Sequence, residues 1–174
     1  MSIRICGGLY RSIRLECPAR GVRPTTDRVK EAIFSILGDD VPGSNVLDLF
    51  AGCGSLGIES LSRGAQHASF VEKSRVCTEV IAQNLKTIEA GERATIIRGD
   101  ARSFMKTCTS GFDLIFMDPP YNKALASTLA PHVYKLLNSG GVLVIEHSPA
   151  EPLELAAWKH KTYGDTAVSF FRKG

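Results

Sequence analysis

The tetrapeptide Asp118-Pro119-Pro120-Tyr121 carries the residue types of this chain best suited to chemistry on an amine. Two adjacent prolines fix the backbone and remove two amide donors, and each holds the residue before it in extended geometry. Carbonyls are left pointing in set directions beside a carboxylate, so the segment offers acceptors only. An exocyclic amine on a purine or cytosine needs such a site. Its lone pair is delocalised into the ring and becomes nucleophilic only as acceptors hold its hydrogens. Tyr121 adds a flat surface on which a base can stack, worth roughly 1–3 kcal/mol. A rigid turn after a strand is the other reading. A terminal acid set directly before two prolines favours the chemical one.

A second constellation runs from Asp48 to Gly57, where Gly52, Gly54 and Gly57 form a G-x-G-x-x-G core between an apolar run and a helical stretch. Glycines there allow a tight turn and close approach of a ligand to backbone, which nicotinamide cofactors and S-adenosyl-L-methionine both need. Asp48 separates the two. An acid just before the glycines would repel a pyrophosphate at the helix N-terminus but suits a cationic methionyl amine. Glu72 ends the next apolar run, 24 positions on, where a carboxylate can accept from both hydroxyls of a ribose. Asp100 ends the third run, placed either to accept from an adenine amine beside the Ala101 amide or to cap the helix that follows; the roles are compatible. The reaction so outlined is an in-line displacement at a sulfonium methyl, requiring alignment and a water-poor site and no metal.

The elements that must position these residues follow from periodicity. Residues 3–17 alternate loosely around Gly7-Gly8 and predict a small hairpin. Pro24, Thr25, Thr26 and Asp27 mark a helix start, with Val29, Ala32, Ile33, Ile36 and Leu37 on one face and Arg28 and Lys30 expected on the other. Strands are predicted at 46–50, 68–71, 94–97, 114–117 and 141–145, with a helix over 125–137 before the last of them. A closing pair at 158–162 and 167–171 flanks Tyr163-Gly164-Asp165. Strands alternating with helices give a parallel sheet with right-handed crossovers, closed here by an antiparallel edge, and ligands bind outside the carboxyl ends of its strands.

Length and composition set the frame. The 174 residues suit one domain, 44% hydrophobic and 22% charged, without an apolar run that would cross a bilayer or a signal peptide at Met1, so a cytoplasmic protein is expected. Five scattered cysteines at no ligand spacing imply neither a disulfide framework nor a zinc site. Residues 1–35 hold seven Arg or Lys against three acids, more than the whole net charge of +3. Such an Arg-dominated end suits phosphate contacts, although a solvated surface would look the same.

With these residues placed, the chain resembles the bacterial RsmD family, which methylates the exocyclic N2 of a guanine in 16S ribosomal RNA. The resemblance runs nearly end to end: Arg4-Ile5-Cys6-Gly7-Gly8, the segment from Arg23 to Glu31, Asp48 to Gly57 with Arg63-Gly64-Ala65, Asp118 to Tyr121, and Tyr163-Gly164-Asp165-Thr166. It implies an α/β fold of the Rossmann-like class I methyltransferase type, with a mostly parallel seven-stranded sheet, an antiparallel C-terminal edge and a small N-terminal hairpin. Residues 1–22 would be the hairpin extension and 23–174 the methyltransferase domain.

The implied cofactor is S-adenosyl-L-methionine. Arg23, Thr25 and Thr26 would cover its methionine end, while Asp48, Phe50, Ala51, Gly52, Gly54 and Ser55 cradle it. Glu72, Lys73, Asp100, Ala101 and Arg102 would hold the adenosine, and Asp118, Pro119, Pro120 and Tyr121 the guanine. Arg4, Arg11, Arg14, Arg20 and Arg28 would grip RNA, with the small ribosomal subunit as substrate and the enzyme a monomer. Cys53 departs from the family's usual small hydroxyl residue, in a loop that acts through its backbone. Other readings from the residues remain: an adenine-N6 methyltransferase sharing the tetrapeptide, an NAD-binding oxidoreductase resting on the glycines and Glu72, and a non-catalytic RNA-binding assembly factor.

Overall fold

The computed structural model describes residues 2–18, 24–120 and 124–174. The predicted alternation is present. After β1 (Ser2–Arg4) and β2 (Arg14–Glu16) come α1 (Asp27–Leu37), β3 (Asn45–Leu49), α2 (Ser55–Ser62), β4 (His67–Glu72), α3 (Arg75–Thr87), β5 (Ala94–Arg98) and α4 (Ala101–Thr107). The chain continues through β6 (Phe112–Met117), α5 (Leu125–Lys135), β7 (Leu137–His147), β8 (Lys159–Tyr163) and β9 (Thr166–Arg172).

Seven strands pair in the order β5-β4-β3-β6-β7-β9-β8. The first five are mutually parallel, and β9 runs antiparallel to both β7 and β8. The chain winds outward from β3 to β5, then returns to β6 on the other side of β3. The crevice beyond the carboxyl ends of β3 and β6 is therefore the switch point at which such sheets bind ligands.

Both faces of the sheet are buried, which is why its strands read as continuous apolar runs. On one face Val46, Phe70, Phe116 and Val144 pack with Phe34 of α1, Ile58 of α2 and Ile81 of α3. On the other, Leu47, Ile115, Leu143 and Ile145 pack with Ala101 of α4 and Leu129 and Val133 of α5. The helix start marked by Thr26 forms as expected, its Oγ1 accepting from Val29 N at 3.4 Å, and Ser74 caps α3 in the same way, its Oγ accepting from Cys77 N at 3.4 Å.

Strand β7 begins four residues earlier than the apolar run indicates. Phe112 pairs with Leu137 but Leu114 with Val142, so a bulge absorbs the polar residues Asn138 to Gly140 into a longer strand. The preceding helix accordingly ends at Lys135 instead of continuing to Leu137.

The hairpin shares the body's core through Ile3, Ile5 and Leu15. Its Gly7-Gly8 turn lies against the end of α2, where Leu9 N donates to Ser62 O at 2.7 Å and Tyr10 N to Ser62 Oγ at 2.9 Å. Gly8 has φ +80°, and a Cβ there would stand 2.0 Å from Ser62 O, so only glycine permits this approach.

Lys30 is the clearest departure from the sequence reading. Expected on the solvent face of α1, it is 1% exposed. Its ammonium donates to the carbonyl of Arg4 and stands 3.7 Å from Glu59 Oε2. Glu59, also 1% exposed, accepts from Cys6 N, Gly7 N and Arg63 Nε, each at 2.8 Å. The hairpin adds a third layer over α1 and α2, and that layer turns a surface position into a buried one.

Candidate active site

Beyond the carboxyl ends of β3, β4, β5, β6 and β7 lies a cleft of about 890 Å³, near the upper end of the roughly 300–1,000 Å³ usual for ligand sites. The structure brings into it fifteen of the described positions expected from sequence: Thr25, Thr26, Asp48, Phe50, Ala51, Gly52, Ser55, Glu72, Lys73, Asp100, Ala101, Arg102, Asp118, Pro119 and Pro120. Arg20, Arg23 and Tyr121 lie outside the described residues. Gly54 is not among the lining residues. It precedes α2 with φ +81°, and a Cβ there would meet Ile58, Ile81 and Phe70 at 3.2–3.3 Å, so its smallness serves packing beneath the loop. Gly57 does the same more strictly, with a Cβ placed 2.3 Å from the Phe70 ring.

The floor of the cleft is built from strand-end acids that organise backbone. Asp48, the penultimate residue of β3, is 4% exposed and accepts from Gly57 N at 2.9 Å, which ties the strand to the first turn of α2. Burial pushes its carboxyl up to about 7; the Gly57 amide acts in the opposite direction, and the negative charges of Glu72 and Glu146 add to the rise. Glu72, the last residue of β4, accepts from Gly52 N with one oxygen and from Ser74 N with the other, both at 2.8 Å, and so fixes the glycine loop from the side. Asp100 caps α4, accepting from Arg102 N at 2.9 Å and Ser103 N at 3.4 Å. The capping role foreseen for Asp100 is present, and the same residue lines the cleft.

Between β3 and α2 the backbone is forced. Phe50 has φ +71°, a conformation that costs a non-glycine residue on the order of 1–3 kcal/mol and that concentrates at ligand sites. Its amide and that of Ala51 both donate to Val71 O, at 3.1 and 3.0 Å, which holds the turn open towards the cleft. Ser55, first residue of α2, has a buried hydroxyl oxygen without a hydrogen-bond partner among the described residues. An unsatisfied hydroxyl at a helix N-terminus is a polar demand that a ligand can meet. An acid suited to an ammonium group, another at the carboxyl end of the adjacent strand, a strained open turn and this hydroxyl together fit S-adenosyl-L-methionine.

Asp118 follows the last residue of β6, and buried Pro119 and exposed Pro120 come directly after it, so the acceptor segment opens on the same cleft as the glycine loop. Leu125 and Leu129 of α5 supply an apolar wall. Sequence reasoning missed Glu146 and Thr166, which also line the cleft. Glu146 lay within reach of the rule that found Asp48, Glu72 and Asp118, being an acid at the carboxyl end of an apolar run.

Of the arginines expected to meet RNA, Arg11, Arg14 and Arg28 are exposed. Arg4 is drawn into a pair with Asp27, its guanidinium 3.1 Å from the carboxylate. None of the four lines the cleft. They stand on the hairpin and α1, the layer that Lys30 and Glu59 fasten to α2.

Comparison with known proteins agrees with this geometry. Residues 3–172 match the family described as "Conserved hypothetical protein 95". Ribosomal RNA small subunit methyltransferase D of Escherichia coli K12 is 40% identical over 183 residues, covering 98% of this chain and 90% of that protein. The structure of a hypothetical protein from Thermus thermophilus superposes with a TM-score of 0.87 at 30% identity, over 97% of this chain and 98% of the other. An RNA methyltransferase from Salinibacter ruber, solved with S-adenosyl-L-homocysteine, shares the fold at 16% identity and a TM-score of 0.71, over 86% and 93% of the two chains. The chain belongs to the RsmD family of methyltransferases, that of the E. coli small subunit methyltransferase D.

Proposed function

We propose that the protein transfers the methyl group of S-adenosyl-L-methionine to the exocyclic N2 of a guanine in 16S ribosomal RNA, on assembled or partly assembled small subunits, as a cytoplasmic monomer. The observation that carries this reading is the acid Asp118 followed by two prolines without amide donors, opening on the cleft that the glycine loop and Glu72 shape. The name of the E. coli relative supports ribosomal RNA as substrate, and the exposed Arg11, Arg14 and Arg28 supply phosphate contacts.

When bound, the cofactor supplies an electrophilic sulfonium methyl. The residues of this chain do the remainder. Asp118 and the carbonyls of the rigid diproline hold the hydrogens of the amine, drawing its lone pair out of the ring. The Asp118 carboxylate also takes the proton that the amine sheds once methylated. Leu125, Leu129 and Pro119 exclude water, which strengthens each of these bonds. A paired or stacked guanine must first be turned out, at a cost of about a few kcal/mol that a loop position reduces.

The test is incubation with isotope-labelled cofactor and small subunits lacking the modification, followed by mapping of the labelled nucleotide. Label on a guanine N2, lost in Asp118→Ala with RNA binding retained, is expected. Absence of label from every guanine N2 sinks the reading, label on adenine N6 replaces it, and full function of Asp118→Ala in cells would make the protein a non-catalytic assembly factor.

A further inference from the structure

We infer that Cys17 and Cys53 form a modification site: hydrogen peroxide closes them into a disulfide that ties the hairpin to the glycine loop and weakens that loop's hold on the cofactor. The inference stands apart from the choice of base, since each of its readouts is made without RNA.

Both thiols are free, and they meet from segments 36 positions apart, their sulfurs 2.7 Å from each other in a shared hydrogen bond. Cys17 follows the last residue of β2, and Cys53 stands between Gly52 and Gly54 in the loop before α2. Cys53 lines the cleft, with Cys17 backing it. The contact therefore joins the hairpin layer to the wall of the cofactor site. Asn84 of α3, itself buried, braces the same junction. Its Oδ1 accepts from Glu16 N at 2.8 Å, and its Nδ2 donates to Glu16 O at 2.9 Å and to Cys53 O at 3.2 Å. Cys17 is thus carried on backbone whose preceding residue is held at both its amide and its carbonyl. Cys53 is carried between two glycines with φ +56° and +81°, the more yielding backbone of the two.

The two thiols take unequal roles. The bond from Cys53 brings the Cys17 thiol down from its ordinary value, and the same bond, together with burial, pushes Cys53 up. Cys17 is accordingly the attacking thiolate and the Cys53 S–H the donor that steadies it. A water-sized oxidant has two approaches, through the cleft past Cys53 and at the 4% of Cys17 that stays exposed. The Cys17 thiolate forms an S–O bond with hydrogen peroxide as the O–O bond breaks, and the departing hydroxide is protonated to water. The Cys53 sulfur then displaces the hydroxyl of the Cys17 sulfenic acid, and its proton leaves with that oxygen as a second water. The two thiols give up two electrons and one peroxide accepts them. Closing the bond draws the two chains together, and the glycine-flanked Cys53 is the side that gives way, taking with it the loop that shapes the cleft. Cytosolic disulfides of this kind are transient, because the surrounding thiol pool reduces them again.

The experiment treats the reduced full-length protein with hydrogen peroxide, alkylates the thiols that remain, and maps crosslinked peptides by mass spectrometry without reduction. A Cys17–Cys53 crosslink, two hydrogens lighter than the paired thiols and removed by dithiothreitol, is expected. Calorimetry with S-adenosyl-L-methionine should then give a Kd about tenfold or more weaker in the crosslinked protein, restored on reduction. Reduced Cys17→Ser, whose hydroxyl can share the bond with Cys53, should bind the cofactor within about threefold of reduced wild type. Its Kd should not respond to peroxide, although Cys6, Cys53, Cys77 and Cys108 are all still present. The crosslink map needs no variant, and Cys17→Ala replaces the Ser variant if the latter is destabilised. Absence of the crosslink, or a crosslink through Cys77 instead, overturns the inference. A crosslinked protein whose Kd is unchanged or tighter overturns the coupling to the cofactor, as does a Cys17→Ser protein that loses affinity in peroxide as wild type does.

Discussion

Asp48 gives the site a pH dependence whose sign can be worked out. Burial raises its carboxyl to about 7, so in the free protein about half of the molecules carry a neutral Asp48 at neutral pH. A cationic methionyl amine near it favours the ionised form, so binding lowers the pKa and expels a proton. Affinity must then rise with pH up to about 7 and level off above it. In the limit of full ionisation on binding, the rise is about tenfold per pH unit well below 7, and about 0.9 of a proton is released per cofactor at pH 6. Asp48→Asn removes the titration while its side-chain oxygen can still accept from Gly57 N, the bond that secures α2. Loss of a hydrogen bond to a charged group, worth about 1.5–3 kcal/mol, predicts a roughly 10- to 100-fold weaker Kd at pH 7 and a flat profile below it. The assay is isothermal calorimetry from pH 5.5 to 7, in paired buffers of different ionisation enthalpy. That range stays below the titration of the ligand's own α-amine, ordinarily about 7.7–8.0. Wild-type affinity that is flat with pH or falls as pH rises, or proton release that persists in Asp48→Asn, would refute the assignment.

Two further outcomes follow from the layer that carries the hairpin. Glu59→Leu should cost about 3–5 kcal/mol in chemical denaturation, because it strips the buried Lys30 of one carboxylate, leaving Asp27 at 3.8 Å, and orphans the amides of Cys6 and Gly7. Lys30→Met should cost less, because Glu59 keeps those amides and Arg63; a Glu59→Leu variant within about 1 kcal/mol of wild type would show the cluster to be unimportant. Arg11→Ala with Arg14→Ala should weaken subunit binding and reduce the salt slope by about 0.7–0.9 for each phosphate no longer neutralised, whereas Arg4→Ala, already engaged by Asp27, should change it less; equal slopes in all three proteins would move the RNA surface elsewhere.

What the sequence disclosed and what it withheld divide along a physical line. Asp48, Glu72, Asp100 and Asp118 were legible because position at a strand's carboxyl end is itself written in the apolar run before each. The parallel order followed from alternation, and the antiparallel closure from two runs around Tyr163-Gly164-Asp165. Lys30 was misplaced because helical periodicity describes one partner face, and the hairpin covers a second. The start of β7 was missed because a bulge carries polar residues into a strand, and polarity is what marks a strand's end in sequence. That Cys17 and Cys53 meet, their sulfurs 2.7 Å apart, depends on the path between two segments 36 positions distant, for which no local pattern exists.

The acids legible from the sequence also form a set whose meaning needed the structure. Glu72 satisfies loop amides with both oxygens and Asp100 caps a helix, so these two do structural work that persists without ligand. Asp48 differs in its burial: it is 4% exposed, lies on the α1 face of the sheet, and the negative charges of Glu72 and Glu146 make its ionisation costlier. Such crowding is a standing cost in the free protein. A molecule that brings a cation into the cleft relieves it, and a sulfonium cofactor with an ammonium group would do so. On this argument the cost of ionising Asp48 in the free protein sharpens the choice of cofactor, because a neutral analogue leaves that cost in place.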